Sequence, residues 1–256
     1  MKKVKLIIAA VSVFSLVSSS AVYADGFAPG EGLYIGAFAG HGSGIVQPKV
    51  TTQDLGAGPD DFGVTTGEMT DGGLGLSGVV GGAWVGYGYK MGPLYVGFEW
   101  DFAGGGEKFK ATCTGSCTIY DGDSGTKNLT SVEADVQWTT SGGGRIGYYL
   151  NSNTLLALRG GIAASKFDVK TNTDSSKYYG GGPAFAASLQ STLADIDPNL
   201  SLRLEYLFVD YMTADVTGWG DTMNPRSDHR ADQLTGQLYQ GRIGLAYSFF
   251  DANSLF

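Results

Sequence analysis

An alternation of large apolar side chains with small or charged ones constrains this chain more than any other feature. It is clearest in residues 94–103, where every second position is large and apolar: Leu94, Val96, Phe98, Trp100 and Phe102. Glu99 and Asp101 lie between them, on the other face of a strand with a period of two residues. The pattern recurs along the chain and predicts eight strands, over 33–40, 77–89, 94–103, 133–149, 154–166, 180–193, 200–211 and 236–250.

The connections between these strands alternate in length. Three are short and rich in turn-forming residues, over 90–93, 151–153 and 195–199. Four are longer, polar and rich in glycine, over 44–76, 104–132, 167–179 and 212–235. This arrangement predicts an all-β fold, an eight-stranded antiparallel up-and-down barrel with both termini at the short-turn end.

The face that carries the charges indicates a membrane barrel. A soluble barrel keeps its apolar face inside, whereas here the charged residues share a face with glycine, alanine and serine. We expect a lumen charge network of Glu99, Asp101, Asp135, Arg145, Arg159, Arg203, Glu205 and Arg242, with Asp135 at its outer end. A polar interior and an apolar exterior are typical of barrels that span a membrane.

Two interpretations of this lumen remain open. Eight strands enclose a space that side chains can just fill, so paired charges are expected to close it. The alternative is a porin-like passive channel for small solutes or ions, which would need a narrow or gated path through the network.

The N-terminus carries the pattern of a cleaved export signal. Lys2, Lys3 and Lys5 precede a 12-residue apolar run over 6–17, which is too short to span a bilayer as a helix. Small residues at 22 and 24 predict cleavage after Ala24. The signal peptide is therefore expected over 1–24 and the barrel domain over 25–256.

Composition excludes several other classes of protein. The formal net charge is −8, which is unsuited to nucleic-acid binding. Residues 72–89 are uncharged, but frequent glycine would make a spanning helix there unstable. The chain has 2 His and 2 Cys, and we predict neither a cofactor nor a metal site.

Aromatic residues near the strand ends suggest girdles at the two lipid–water interfaces. The candidates are Tyr34, Tyr87, Tyr89, Trp100, Tyr148, Tyr149, Tyr206, Tyr211 and Tyr247.

A hydrolase at the barrel rim is the enzymatic alternative. It would use His229 beside Asp228, or His41, with Asp210 approaching from the seventh strand. General acid–base chemistry needs such groups within hydrogen-bonding reach of one another. No local signature of a barrel protease or lipid deacylase is present, so the sequence predicts no enzymatic activity.

Two further motifs lie in the second long connection. Export to an oxidising compartment favours a disulfide between Cys113 and Cys117 over a redox pair. Residues 121–126 begin like a calcium loop, but they lack its later acidic ligands and are expected to form a turn.

Together these features resemble the eight-stranded outer-membrane β-barrels of Gram-negative bacteria, which include the outer membrane protein A transmembrane domain and the porin-family surface antigens. The resemblance covers about residues 31–250 and rests on the export signal, Leu33–Gly36, Arg145–Tyr148, Leu202–Tyr206 and Arg242–Phe249. It implies location in the outer membrane, short periplasmic turns and long extracellular loops.

The resemblance also implies partners. These are outer-membrane lipid and lipopolysaccharide, the barrel-assembly machinery during biogenesis, and a host or surface ligand for the long loops. The assembly signal is usually a terminal aromatic residue, and here Phe249, Phe250 and Phe256 compete for that role. The expected function is a structural and surface-interaction role of the adhesin or antigen kind.

Overall fold

A computed structural model describes residues 27–49, 74–112, 118–121, 125–128, 131–171, 175–216 and 232–250. The expected signal peptide, Cys113, Cys117, the pair Asp228 and His229, and Phe256 lie outside the described residues. Within these ranges, no helix is long and apolar enough to cross a membrane.

The described chain forms ten strands: β1 (Gly32–Lys49), β2 (Leu74–Met91), β3 (Leu94–Thr112), β4 (Thr118–Asp121), β5 (Gly125–Asn128), β6 (Ser131–Asn151), β7 (Thr154–Thr171), β8 (Ser175–Thr192), β9 (Leu200–Val216) and β10 (Asp232–Phe250). Eight of them form a closed barrel in the order β1-β10-β9-β8-β7-β6-β3-β2, and β4 pairs only with β5. All barrel pairs are antiparallel. Pairing of β1 with β10 leaves no free sheet edge, so backbone groups are paired around the whole circumference.

The strands extend beyond their predicted ends toward the long connections. The largest difference falls in the predicted connection 167–179, where β7 and β8 stay paired from Asp168 opposite Lys177 to Lys170 opposite Ser175. Only residues 172–174 separate these two strands. Polar residues in this stretch favoured a loop, but strand preference depends strongly on neighbouring strands, and here β7 pairs with both β6 and β8.

The part of the barrel nearest the short turns has the two faces that the sequence predicted. Ile146, for example, is 62% exposed on the outside, while Arg145 beside it is fully buried in the lumen. The outward positions are apolar over a length of about ten residues per strand. A tilted strand needs this length to cross the hydrocarbon. We call this part of the barrel the membrane half.

Toward the long-connection end the pattern of the two faces inverts. Many outward positions become polar, namely Ser77, Lys108, Asp135, Lys166, Asp210 and Gln237, although Ile45 and Met212 remain apolar and exposed. The inward residues become apolar and form a buried cluster that includes Leu76, Val136, Phe167, Leu207, Val209 and Leu238. Apolar inside and polar outside is the arrangement of a barrel in water. We call this part, which projects beyond the apolar band, the outer half.

Six of the nine aromatic residues expected in the girdles face outward, and three do not. Tyr87, Tyr89, Trp100, Tyr148, Tyr206 and Tyr247 lie on the outward face. Tyr34, Tyr149 and Tyr211 are instead buried in the lumen. Their hydroxyl groups bond Glu99, the Pro29 carbonyl and Ser165, respectively. Closeness to a strand end does not set the face, because the face follows from the two-residue period along each strand.

Candidate functional site

A layer of ionised side chains crosses the lumen of the membrane half. It comprises Glu99 and Asp101 from β3, Arg145 from β6, Arg159 from β7, Arg203 and Glu205 from β9, and Arg242 from β10. Each is at most 6% exposed. The closed ladder brings together side chains from five strands, which we call the charged layer.

Glu99 is the centre of one part of the charged layer. Arg203 binds both of its oxygens, with Nη2 at 2.8 Å from Oε1 and Nη1 in contact with Oε2. The Tyr34 hydroxyl donates to Oε2 at 2.7 Å. Arg159 and Arg145 complete the surroundings at 3.4 and 3.6 Å. A carboxylate bound in this two-pronged way is held in position as well as neutralised.

Asp101 and Glu205 form the other part of the layer. Arg159 Nη1 lies 2.5 Å from Asp101 Oδ2, which also accepts a 2.5 Å bond from the Ser141 hydroxyl. Arg242 Nη1 bridges the two acids, at 3.3 Å from Asp101 and 3.2 Å from Glu205. Arg203 also contacts Glu205, so Arg203 and Arg159 both join the two parts.

Arg145 is held mainly by neutral side chains. Its Nη2 donates to the Ser188 hydroxyl at 2.9 Å and to Gln190 Oε1 at 3.0 Å. Gln190 in turn donates to the Ser201 hydroxyl at 2.8 Å. These bonds reach the barrel wall, where Ser201 donates to the Ala246 carbonyl at 3.2 Å. The charged layer is therefore anchored to both side chains and backbone.

Two aromatic rings pack against two of the guanidinium groups. The Arg203 Cζ atom lies 4.6 Å from the ring centre of Trp84, and the Arg242 Cζ atom lies 4.5 Å from that of Phe38. The two rings stack on each other at 5.0 Å. Cation–π contacts of this kind are favourable for buried cations.

Glycines make room for this aromatic stack. A Cβ atom on Gly36 or Gly244 would collide with the Trp84 ring, and one on Gly82 would collide with Phe38. The glycine content of these strands therefore has a packing explanation, because the lumen of an eight-stranded barrel is narrow.

Asp135 lies outside the charged layer. The register of β6 shifts between Val136 and Trp138, and this irregularity reverses which positions face inward. Val136 thus points into the lumen, while Asp135 lies on the exterior and pairs with Lys108 at 3.5 Å. Counting every second residue back from Arg145 placed Asp135 inside because the sequence does not reveal the extra residue in the strand.

Glu107 is a buried carboxylate that the sequence analysis missed. It is 1% exposed and accepts a 2.9 Å bond from Gln240 Nε2, while Gln240 Oε1 accepts a 2.9 Å bond from Arg242 Nε. The glycines at 104–106 favoured a loop, but β3 continues past them, and its two-residue period places Glu107 on the same inward face as Glu99 and Asp101. With Glu107, the described residues place four carboxylates and four arginines in the lumen.

The lumen is also packed below the charged layer. Near the short turns, Tyr95, Tyr149, Leu155 and Ala157 form a buried apolar cluster with Ala28. The segment 27–31 crosses this end, held by bonds from the Tyr149 hydroxyl to the Pro29 carbonyl at 3.0 Å and from the Phe27 amide to Asn199 at 3.4 Å. Buried side chains therefore fill the lumen at three levels: this lower cluster, the charged layer, and the apolar cluster of the outer half.

The candidate catalytic residues are not brought together in the described part of the chain. His41 is on the exterior of β1, with Nδ1 2.8 Å from the Gly78 carbonyl and Nε2 3.5 Å from the Ser77 hydroxyl. Asp210 is on the exterior of β9, bonded by Gln237 at 3.3 Å, and β10 separates the two strands. Among the described residues, no group of three or more His, Cys, Asp or Glu could hold a metal ion.

A closed eight-stranded barrel with an apolar exterior and an ionic interior is typical of proteins that span the bacterial outer membrane. The protein is an eight-stranded β-barrel of the bacterial outer-membrane type, located in that membrane.

Several solved structures are similar to it. They include the attachment invasion locus protein Ail of Yersinia pestis, with 12% identity over 85% of this chain and 99% of that one and a TM-score of 0.39. Neisserial surface protein A has 10% identity over 86% and 98%, with a TM-score of 0.45. The outer membrane protease OmpT of Escherichia coli has 8% identity over 91% and 100%, with a TM-score of 0.46. No protein-family model and no curated protein matches the chain.

Proposed function

We propose that the protein is a closed scaffold of the outer membrane that presents its outer half and long connections to the exterior and does not conduct solutes. The observation that carries this proposal is the filling of the lumen at three levels by side chains such as Leu155, Arg203 and Leu238, which are all at most 1% exposed. A continuous water path would need to pass all three levels.

The paired charges support closure at the level of the hydrocarbon. An open aqueous pore would keep its charged groups hydrated, whereas these arginines and carboxylates bond one another and neighbouring hydroxyl and amide groups. Opening the layer would separate several buried ion pairs, and separating buried ions is strongly unfavourable unless water replaces the partner.

The surface role rests on the connections and on the outer half. The connections over 50–73 and 217–231 join strands that already extend beyond the apolar band. Loops on a rigid scaffold are where binding usually resides, and an adhesin-like or antigen-like role follows from this arrangement by analogy of fold.

Conductance tests the closed lumen. In a planar bilayer, the purified protein should give no steady conductance under conditions in which an open porin does, and liposomes containing it should not swell in small sugars. A stable, voltage-independent conductance in most insertions would contradict closure and would favour the porin-like channel.

The surface role needs a separate test on intact cells. A variant with 50–73 replaced by a short Gly-Asn turn should lose adhesion to immobilised extracellular-matrix proteins, while replacement of 172–174 serves as the matched control. Equal adhesion of both variants and the wild-type protein, at equal surface amounts, would contradict the surface role and leave the closed lumen unaffected.

A further inference from the structure

Glu107 is a lumen carboxylate with which no described arginine or lysine forms an ion pair. The other three lumen carboxylates, Glu99, Asp101 and Glu205, each contact more than one arginine. In the described part of the chain, Glu107 instead accepts one bond from a side-chain amide, that of Gln240 at 2.9 Å. It is only 1% exposed, so water does not take the place of a partner.

The position of Glu107 explains its isolation from water. It lies in the outer half, where the charged layer meets the apolar cluster. A Cβ atom on Gly42 would collide with its carboxyl group, which therefore packs directly against the backbone of β1. At Gly44, the next inward residue of β1, the neighbouring side chains are Leu238 and Leu76. Apolar packing thus separates the carboxyl group from the long-connection end of the barrel.

The neighbouring strands bring few ionisable groups toward Glu107. Arg242 on β10 acts on it across Gln240, whose Oε1 accepts the Arg242 Nε–H group at 2.9 Å. Arg242 also lies 3.3 Å from Asp101, the inward acid nearest to Glu107 on β3. Tyr211 on β9 is a titratable neighbour. The contacts from the remaining strands are uncharged, namely Gly42 on β1, Gly78 on β2 and Val136 on β6.

Two effects act on the charge of this carboxyl group in opposite directions. Burial without a cation of its own favours the neutral form, and the bond from Gln240 favours the ionised form. A bond from a neutral amide offsets only part of the free energy that a carboxylate loses when it leaves water. The geometry therefore favours the neutral form under conditions in which an exposed carboxyl group is ionised.

We propose that Glu107 is a proton-binding site of the outer half, occupied in mildly acidic surroundings and empty in alkaline ones. Proton uptake removes a buried charge that has no direct counter-ion, so acidification stabilises the outer half. Because the site lies beyond the apolar band, it responds to the pH outside the cell. The proposal goes beyond the scaffold role and does not depend on it, since conductance and proton uptake are measured separately.

The direction of the effect follows from proton binding in the folded and unfolded states. In the unfolded chain, Glu107 binds a proton only near the ordinary glutamate pKa of about 4.3. The folded protein binds it at a higher pH, so stability rises as the pH falls between these two values and reaches its full extent at the lower one. Within that window, the equilibrium constant of unfolding changes by up to about tenfold for each pH unit.

The test compares the pH dependence of unfolding in the wild-type protein and in Glu107→Gln. The carboxamide keeps the shape of the side chain and still accepts the bond from Gln240, but it does not take up a proton. Urea unfolding of the purified, detergent-folded protein is followed from about pH 8 to about pH 5, above the ordinary glutamate value. Acidification should raise the wild-type midpoint more than that of the variant, and at the alkaline end the variant should be the more stable protein.

Two matched variants remove a carboxylate elsewhere. Glu99→Gln discharges a group that Arg203 binds through both oxygens, so it should lower the midpoint throughout the pH range. Asp135→Asn discharges an exterior group and should keep the wild-type pH dependence. Equal pH dependence of the wild-type protein and Glu107→Gln would overturn the proposal. Lower stability of Glu107→Gln at the alkaline end would also overturn it, because Glu107 would then act as an ionised partner of the charged layer.

A further variant and a spectroscopic measurement apply even if Glu107→Gln does not refold. Gln240→Leu removes the bond that favours the ionised form, so proton uptake should move to higher pH. In infrared difference spectra, acidification of the wild-type protein should produce the carbonyl stretch of a buried carboxylic acid, and this band should appear at higher pH in Gln240→Leu. Absence of the band, its persistence in Glu107→Gln, or an unchanged pH range in Gln240→Leu would contradict proton binding at Glu107.

Discussion

The membrane half and the outer half use the same strands and the same two-residue period, yet their interiors have opposite chemistry. On β9, Arg203 and Glu205 point into the lumen of the membrane half. Val209, four residues after Glu205, points into the lumen of the outer half. On β10 the same change separates Arg242 from Leu238. Every second residue of these two strands points inward in both halves, but the inward residues change from charged to apolar.

The surroundings of the barrel explain the difference. Where lipid covers the exterior, apolar side chains face outward, and polar groups can be buried only inside, where they pair with one another. Where water covers the exterior, burial of apolar side chains inside is favourable. The inversion therefore marks the membrane surface on the protein.

The largest expected effect concerns the charged layer. Replacing Arg203 with Ala removes the two-pronged partner of Glu99 and one of the contacts of Glu205. We therefore expect a loss of about 3–5 kcal/mol in the free energy of unfolding. Urea titration of the detergent-folded barrel, followed by tryptophan fluorescence, measures it. The double variant Glu99→Gln/Arg203→Met should recover part of this loss. An unchanged unfolding midpoint for Arg203→Ala would show that the layer does not stabilise the membrane half.

The apolar core of the outer half is tested by two leucines of one strand. Leu238→Ala, inside the outer half, should cost about 2–5 kcal/mol because it leaves a cavity. Leu245→Ala, outward in the membrane half, should cost much less because lipid is as apolar as leucine. Both are compared by urea unfolding in the same detergent. Equal losses would contradict a water-type core in the outer half.

The position of the boundary is tested by adding a charge on the exterior of β10. Ile243→Arg places a cation in the apolar band and should destabilise the protein by about 2–4 kcal/mol in lipid vesicles. Gln237→Arg, on the same face beyond the band, should change the stability by no more than about 0.5 kcal/mol. If Gln237→Arg were the more harmful change, the boundary would be misplaced.

A smaller effect is expected at the short-turn end of the membrane half. Tyr149→Phe removes the bond to the Pro29 carbonyl and should cost about 1 kcal/mol. Its outward neighbour provides the control, since Tyr148→Phe should be nearly neutral. Faster proteolysis near residues 27–31 in the Tyr149 variant alone would accompany the loss, and equal behaviour of the two variants would argue against a fixed N-terminal segment.

The smallest effect is expected on the exterior of the outer half. Lys108→Ala breaks the pair with Asp135, in which the lysine is largely exposed, and such pairs contribute less than about 1 kcal/mol. The loss should shrink further at high salt. A loss close to that of Arg203→Ala would contradict the distinction between paired charges in the lumen and paired charges at the surface.

The sequence predicted the membrane half well because its strands are regular. Alternation over Leu94–Phe102 and over Leu200–Phe208 sets the face of every residue once one position is known, and it placed Glu99, Arg203 and Glu205 in the lumen. Regular alternation failed where a strand contains an extra residue. Asp135 lies beside the register shift in β6 and therefore faces outward. Glu107 keeps the period of Glu99 and Asp101, and it was missed because the predicted third strand ended at residue 103, before the glycines at 104–106.

The outer half was not visible in the sequence for a related reason. Its strands carry polar outward residues such as Lys166, Asp168 and Lys177, and glycines interrupt others, as at 104–106 in β3. Such stretches have weak strand preference, and their pairing depends on the strands on either side. Loop-like composition therefore concealed strands that the closed barrel stabilises.

The sequence by itself determined the number of barrel strands, their antiparallel order and the face of most charges in the membrane half, because these follow from local alternation and connection length. The tertiary structure decided which ions pair, where Asp135 points, and how far strands such as β3 continue beyond the apolar band. These depend on register between strands that are distant in sequence, and register is fixed only when the barrel closes and its lumen is packed.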